Sequence, residues 1–211
     1  SAATAAMLRA AQIAPHDQST IYNAALGLFI QGKTARAVEY CLAALELQPE
    51  PKLYLLLGTC YRQLGEQEQA IAAYRQSIVL APKNFIAYSH LSNILERPQA
   101  IKTLEQALAA GIEHDELYKR LGRLYFEQGE AVRAAELHRR AIAIAPDDVQ
   151  AHTNLGAILK TLGQWQEAHR AYEQAYTLEP HNPTHQLKMS ELGHLIDEQS
   201  VSAVRNSIET H

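Results

Sequence analysis

Apolar positions recur along this chain in paired stretches of about 13 residues, each with the i, i+3, i+4 spacing of one helix face. In one such pair Leu53, Leu57, Cys60, Tyr61 and Leu64 form the first stripe, and Ile71, Tyr74, Ile78 and Leu80 form the second. Gly65 stands between the stripes and Pro82 closes the second. Glycine takes the left-handed conformation that caps a helix without a Cβ clash, and proline lacks the N–H that would continue a helical ladder. The pattern predicts a helical hairpin.

The hairpin repeats. Prolines end apolar runs at Pro15, Pro49, Pro82, Pro146 and Pro180, at intervals of 34, 33, 64 and 34 residues. Gly32, Gly65, Gly129 and Gly163 each precede one of these prolines by 17 residues, and Ala37, Ala70, Ala134 and Ala168 follow those glycines by five. Landmarks held in phase at such a period define an internal repeat. The 64-residue interval holds one unit of ordinary length and one, residues 85–114, that is four residues short. The loss falls in the turn, where ERPQA stands between NFIAYSHLSNIL and AIKTLEQALAAG. Four residues is about one helical turn, so both apolar faces keep their direction. The expected result is a shortened first helix, with Pro98 opening the second.

The stretches LLLGTCYRQLGEQEQAIAAYRQSIVLAP, KRLGRLYFEQGEAVRAAELHRRAIAIAP and TNLGAILKTLGQWQEAHRAYEQAYTLEP resemble the tetratricopeptide repeat (TPR) family in their Leu-Gly, Gly, Ala, aromatic, Ala and Pro positions. The resemblance implies an all-α fold, a right-handed superhelical α-solenoid of stacked antiparallel helix pairs. Its organisation would be the second helix of a partial repeat in 1–17, then five units (18–50, 51–84, 85–114, 115–148 and 149–181). Residues 182–211 would be a capping helix pair or a bridge to a following domain, with Val201, Val204 and Ile208 on one stripe. A stack of helix pairs exposes apolar faces at its ends unless they are capped. The Ala-rich start, AATAAMLRAAQI, lacks such a cap, which is expected of a piece of a longer array or of an end that self-associates. Gly58, Gly122, Gly156 and Ala70 belong where helices touch, so bulkier residues there would overpack the core.

Composition narrows the function. The 211 residues are 47% hydrophobic, ample for a continuous core, and carry a net charge of −4, far from the basic footprint of a nucleic-acid binder. No apolar run approaches the roughly 18 residues of a membrane span, so direct membrane insertion is not expected. Cys41 and Cys60 form no CxxC and read as buried thiols in a reducing compartment such as the cytoplasm. HExxH, GxSxG, GxGxxG and Walker-type loops are absent from the sequence, so neither catalysis nor a cofactor or metal is expected. His181 and His185 read as a surface pair, and His138 as a packed core histidine in the slot that holds Tyr74 and Tyr172 elsewhere.

The family resemblance places the first helix of each unit along a concave groove. Carried over by alignment, groove positions fall on Asn23, Arg62, His90, Asn93, Lys119, Arg120, Arg123, Asn154 and Lys160, with Leu56, Ser89, Phe126 and Ala157 among their neighbours. Asn23 and Asn154 match asparagines that grip an extended peptide backbone in related arrays, an amide being both donor and acceptor. Tyr22 and Leu26 stand where a two-carboxylate clamp of chaperone-tail binders would begin, so that clamp is not matched. The Lys119, Arg120 and Arg123 cluster makes the later groove locally positive, partly offset by Glu96, Glu116 and Glu127. The expected function is a non-catalytic scaffold binding an extended, acidic peptide segment of a partner protein. The alternative is the recruiting N-terminal region of a larger sulfotransferase or glycosyltransferase.

Overall fold

In the computed structural model, residues 17–194 and 196 are described, and all regular structure among them is helical. The partial repeat and Ala-rich start in 1–16, and the stripe of Val201, Val204 and Ile208, lie outside the described residues. The helices group into two units that divide between Ile112 and Glu113. Unit 1 contains α1 (Gln18–Ile30), α2 (Thr34–Leu47), α3 (Pro51–Leu64), α4 (Gln67–Leu80), α5 (Phe85–Ser92) and α6 (Arg97–Ala109). Unit 2 contains α7 (Asp115–Glu127), α8 (Ala131–Ile144), α9 (Val149–Thr161) and α10 (Trp165–Leu178), followed by α11 over 183–194.

Within each unit successive helices pack as antiparallel neighbours, α1 on α2, α2 on α3, α3 on α4 and onward, and in unit 2 α7 on α8, α8 on α9 and α9 on α10. Local chemistry sets the boundaries. Pro51 opens α3, where its missing N–H costs nothing, and Gly65 caps the same helix at φ 82°, in the left-handed region. Asp17, Asn84 and Asp148 cap α1, α5 and α9 by accepting hydrogen bonds from Ser19 N (3.2 Å), Ile86 N (3.1 Å) and Ala151 N (3.0 Å).

The phase-locked small residues lie at helix contacts. Ala37, Ala70, Ala134 and Ala168 are all fully buried. A Cβ added to Gly58 would lie 2.7 Å from the Tyr74 ring, one on Gly122 2.9 Å from His138, and one on Gly156 2.9 Å from Tyr172. The shortened repeat closes its first helix at Ser92, giving α5 8 residues against 14 in α3. Pro98 sits in the first turn of α6.

Two details of the stripe pattern differ from the sequence reading. Leu64 and Leu80 are each more than two-fifths exposed, because each is the last residue of its helix, where the chain turns away from the neighbouring helix. Leu56, aligned to the groove, is instead buried beside Leu57 in the core, and Ser89 is buried too. Cys41 and Cys60 are free, fully buried thiols. The hydrogen bond that the Cys41 thiol donates to the Cys60 sulfur, together with burial, pushes the Cys41 thiol up, so it stays protonated.

Candidate functional site

The first helices of unit 2, α7 and α9, carry the polar residues that the sequence singles out. Helix α7 opens with Asp115 and Glu116 at its positive end, and the His114 ring accepts from Glu116 N at 3.2 Å. Both acids reach the lysine one turn further along the helix. Lys119 pairs with Asp115 (3.2 Å), Glu116 (3.1 Å) and, across to the N-cap of α9, Asp148 (2.5 Å). Burial works against the Lys119 charge, but the hydrogen bonds to Asp148, Glu116 and Asp115 outweigh it and raise its pKa well above the ordinary value. Only 17% of this side chain is exposed. Lys119 therefore ties α7 to α9, with its charge already met.

The other cations of the expected cluster are nearer to solvent. Arg120 Nε donates to Glu116 at 2.8 Å, Arg123 Nη1 to Glu127 at 2.7 Å, and Lys160 Nζ to Glu191 of α11 at 2.9 Å. Asn154 is half-buried and accepts from Gln150 Nε2 at 2.8 Å. Exposed pairs of this kind are worth about 0 to 1 kcal/mol each, so Arg123 can exchange its partner at little cost.

Arg123 and Asn154 come together around a cleft of about 90 Å³, with Phe126 of α7, His138 of α8, and Ala157 and Ile158 of α9 as the remaining walls. His138 is 1% exposed and its Nδ1 is buried with no hydrogen-bond partner. Burial, and then the nearby Lys119 charge, push the imidazole down to about 4, so the ring is neutral around pH 7. The sequence flagged His138 only as core packing. What distinguishes it is the tyrosine found at the same place in two other repeats, as Tyr74 and Tyr172.

Unit 1 shows the same register with the space filled. Tyr74 stands in the His138 position, Thr59 in that of Arg123 and His90 in that of Asn154. The Tyr74 hydroxyl donates to Thr59 Oγ1 at 3.3 Å, and the Tyr74 and His90 rings meet edge to face at 5.5 Å. His90 is thereby engaged within the fold. Asn23 and Arg62 are exposed on α1 and α3, and Asn93 is the exposed C-cap residue of α5.

Two further histidines, His152 and His185, are held within the fold. His152 Nε2 bonds the Pro146 carbonyl at 2.8 Å, as the Tyr88 hydroxyl bonds the Pro82 carbonyl at 3.1 Å in the shortened repeat. His185 is 4% exposed and lies 3.7 Å from Glu179, so it and His181 are not a surface pair. Among the described residues no group of three or more His, Cys, Asp and Glu is placed to hold a metal ion. No described helix is long and apolar enough to cross a membrane.

The TPR repeat family model matches residues 58–97 and 122–163, and the tetratricopeptide repeat model matches 149–182. This chain belongs to the tetratricopeptide repeat family. Among its TPR relatives, tetratricopeptide repeat protein 16 of Macaca fascicularis is 24% identical over 179 residues, covering 74% of this chain. The chain spans 20% of that relative's length. Among solved structures, the MamA protein is 25% identical at a TM-score of 0.65, covering 78% of this chain and 93% of MamA. YrrB, described as a TPR protein with an unusual peptide-binding site, superposes at a TM-score of 0.65 with 18% identity, over 86% of this chain and 96% of its own. The TPR fold is that of helical scaffolds for protein–protein interaction.

Proposed function

We propose that this TPR chain is a non-catalytic scaffold that binds an extended, acidic segment of a partner protein on the exposed face of its first helices. The unit 2 site would consist of Arg120, Arg123, Asn154 and Lys160 around the cleft, with Lys119 holding the helices in register. Asn23, Arg62 and Asn93 offer unit 1 a second set of polar contacts on α1, α3 and α5. The observation that carries the reading is the cleft itself, which has an exposed cation and a donor–acceptor amide on either side of an apolar recess. An amide at that place can pair with both groups of a peptide unit, while Arg123 supplies charge for a carboxylate. The likeness to YrrB, itself described by its peptide-binding site, is in keeping with this reading.

The test is selection of short random peptides on the full chain, followed by fluorescence anisotropy with the enriched sequences. Asn154→Ala and Arg120→Glu should each weaken binding about tenfold, roughly 1.4 kcal/mol, with helicity unchanged by circular dichroism. Equal affinity for both variants and the parent chain would sink the proposal.

A further inference from the structure

Both cysteines of the chain fall at one contact of the repeat register. Cys41 of α2 stands in the ring position that Tyr74 and His138 hold in later repeats. Cys60 of α3 stands two residues after Gly58, as Ile94 and Ile158 stand after Ser92 and Gly156. The fold brings these two positions together in those later repeats: Ile94 packs on the cluster that holds Tyr74, and Ile158 and His138 wall one cleft. At the joint of α2 and α3 both partners are cysteines. Each is fully buried, in one apolar cluster with Ala37, Ala44, Leu53 and Leu57. The two thiols are free, and that of Cys41 donates its hydrogen bond to the Cys60 sulfur.

Contact and burial together select the chemistry open to this pair. Accepting that hydrogen bond pulls the Cys60 thiol down against the opposing effect of burial, so Cys60 is the sulfur that ionises first, and the thiolate is the form that attacks. Burial keeps out bulky thiols and disulfides, whereas hydrogen peroxide is close to water in size and enters when packed helices open locally. We propose that Cys41 and Cys60 are an oxidisable pair, closed by hydrogen peroxide into a disulfide that staples α2 to α3 and so joins the 18–50 repeat to the 51–84 repeat. The Cys60 thiolate attacks one peroxide oxygen and the O–O bond breaks. The hydroxide released takes up the proton that Cys60 had lost, leaving one water and Cys60 as a sulfenic acid. The Cys41 sulfur then attacks the Cys60 sulfur, the S–O bond breaks, and the departing hydroxide leaves as a second water with the Cys41 proton. Two thiols lose two electrons in all, and one peroxide is reduced to two waters. Because Cys41 is already in contact, ring closure outruns capture by any external thiol.

The experiment treats the full chain with hydrogen peroxide, blocks unreacted thiols in urea and digests with trypsin without reductant. Trypsin cuts after Arg36, Lys52 and Arg62, so a closed pair appears as peptides 37–52 and 53–62 joined in one species that dithiothreitol splits. Reading peptides keeps the link apart from the oxygen that Met7 and Met189 take up under the same peroxide. The joined species is expected from monomeric chain, at a rate that stays flat with urea below the unfolding transition, and the closed form should unfold at higher urea than the reduced form. Cys41→Ala removes the resolving sulfur, so Cys60 should proceed to the sulfinic acid, about 32 Da heavier. Cys60→Ala should leave Cys41 oxidised at least about tenfold more slowly. No joined species from the native chain, where the urea-unfolded chain forms it, would overturn the pair. So would a rate that climbs in step with the unfolded fraction, a link between two chains, or a closed form that unfolds at lower urea. Equal oxidation of the two alanine variants would overturn the assignment of Cys60 as the attacking sulfur. Should either variant fail to fold, the parent chain's digest and its urea dependence decide.

Discussion

The Tyr74 ring occupies the space that a side chain on Gly58 would need, with Cδ1 and Cε1 both 2.7 Å from where its Cβ would stand. The chain repeats this trade of volumes. Gly156 faces Tyr172 and Gly122 faces His138, whereas the repeats with the smaller Cys41 and Leu104 at the ring position carry Ala25 and Ser92 in place of the glycine. Cys41, Leu104, Ala25 and Ser92 are all buried.

Gly58→Ala should therefore destabilise the protein by about 1 to 2 kcal/mol, overpacking outweighing the better helix propensity of alanine. The double variant Gly58→Ala, Tyr74→Leu should recover part of that loss, giving a coupling of about 1 kcal/mol in a urea-denaturation cycle. Strict additivity would show that the two positions do not share one space.

Lys119 and Asp148 join α7 to the first turn of α9, with both side chains more than four-fifths buried. Asp148→Ala removes that link and the α9 cap on Ala151 N together. A loss of about 2 kcal/mol is expected, measured by chemical denaturation, against under about 0.5 kcal/mol for the exposed pair variant Arg123→Ala. Equal effects would contradict the assignment of Lys119 to the scaffold.

The repeat was legible because its signals are local and redundant. A buried alanine, a left-handed glycine and a closing proline each report one contact, and Ala70, Gly65 and Pro82 agree in phase. The site was legible only in part. Arg123, Phe126, Asn154 and Ala157 fall on one face through helix periodicity, so alignment found them. That Lys119 is engaged was not legible, since Asp148 lies 29 residues away and only the packing of α7 beside α9 brings them together. The cleft was missed because His138 was read only as a packed core histidine, whereas it also lines the recess between Arg123 and Asn154.

His138 makes stability depend on pH. Its imidazole is neutral when folded, with a pKa of about 4 against 6.5 when unfolded, so unfolding takes up a proton in that window. Stability from this residue is complete above the unfolded value and falls with pH through the window, by about 2 kcal/mol from near pH 7 to near pH 5. His138→Phe should remove that part of the dependence, seen as a flatter plot of unfolding free energy against pH. An unchanged slope would show that the imidazole is not held neutral by the fold.

Cys41 and Cys60 are both fully buried and free. A thiol reagent such as Ellman's should leave them unmodified in the native protein and titrate both once urea unfolds it. Rapid native labelling of either would contradict the packing of α2 against α3.

Recognition on the first-helix face of the repeats, and not on the outer helices, is the proposition on which the binding site stands. Hydrogen–deuterium exchange of the full chain, with and without a saturating peptide enriched by selection, separates the two faces. Added protection is expected in α7 and α9, centred on the segments holding Arg123 and Asn154. Protection confined to α8 and α10, or none on either set at saturation, would contradict it.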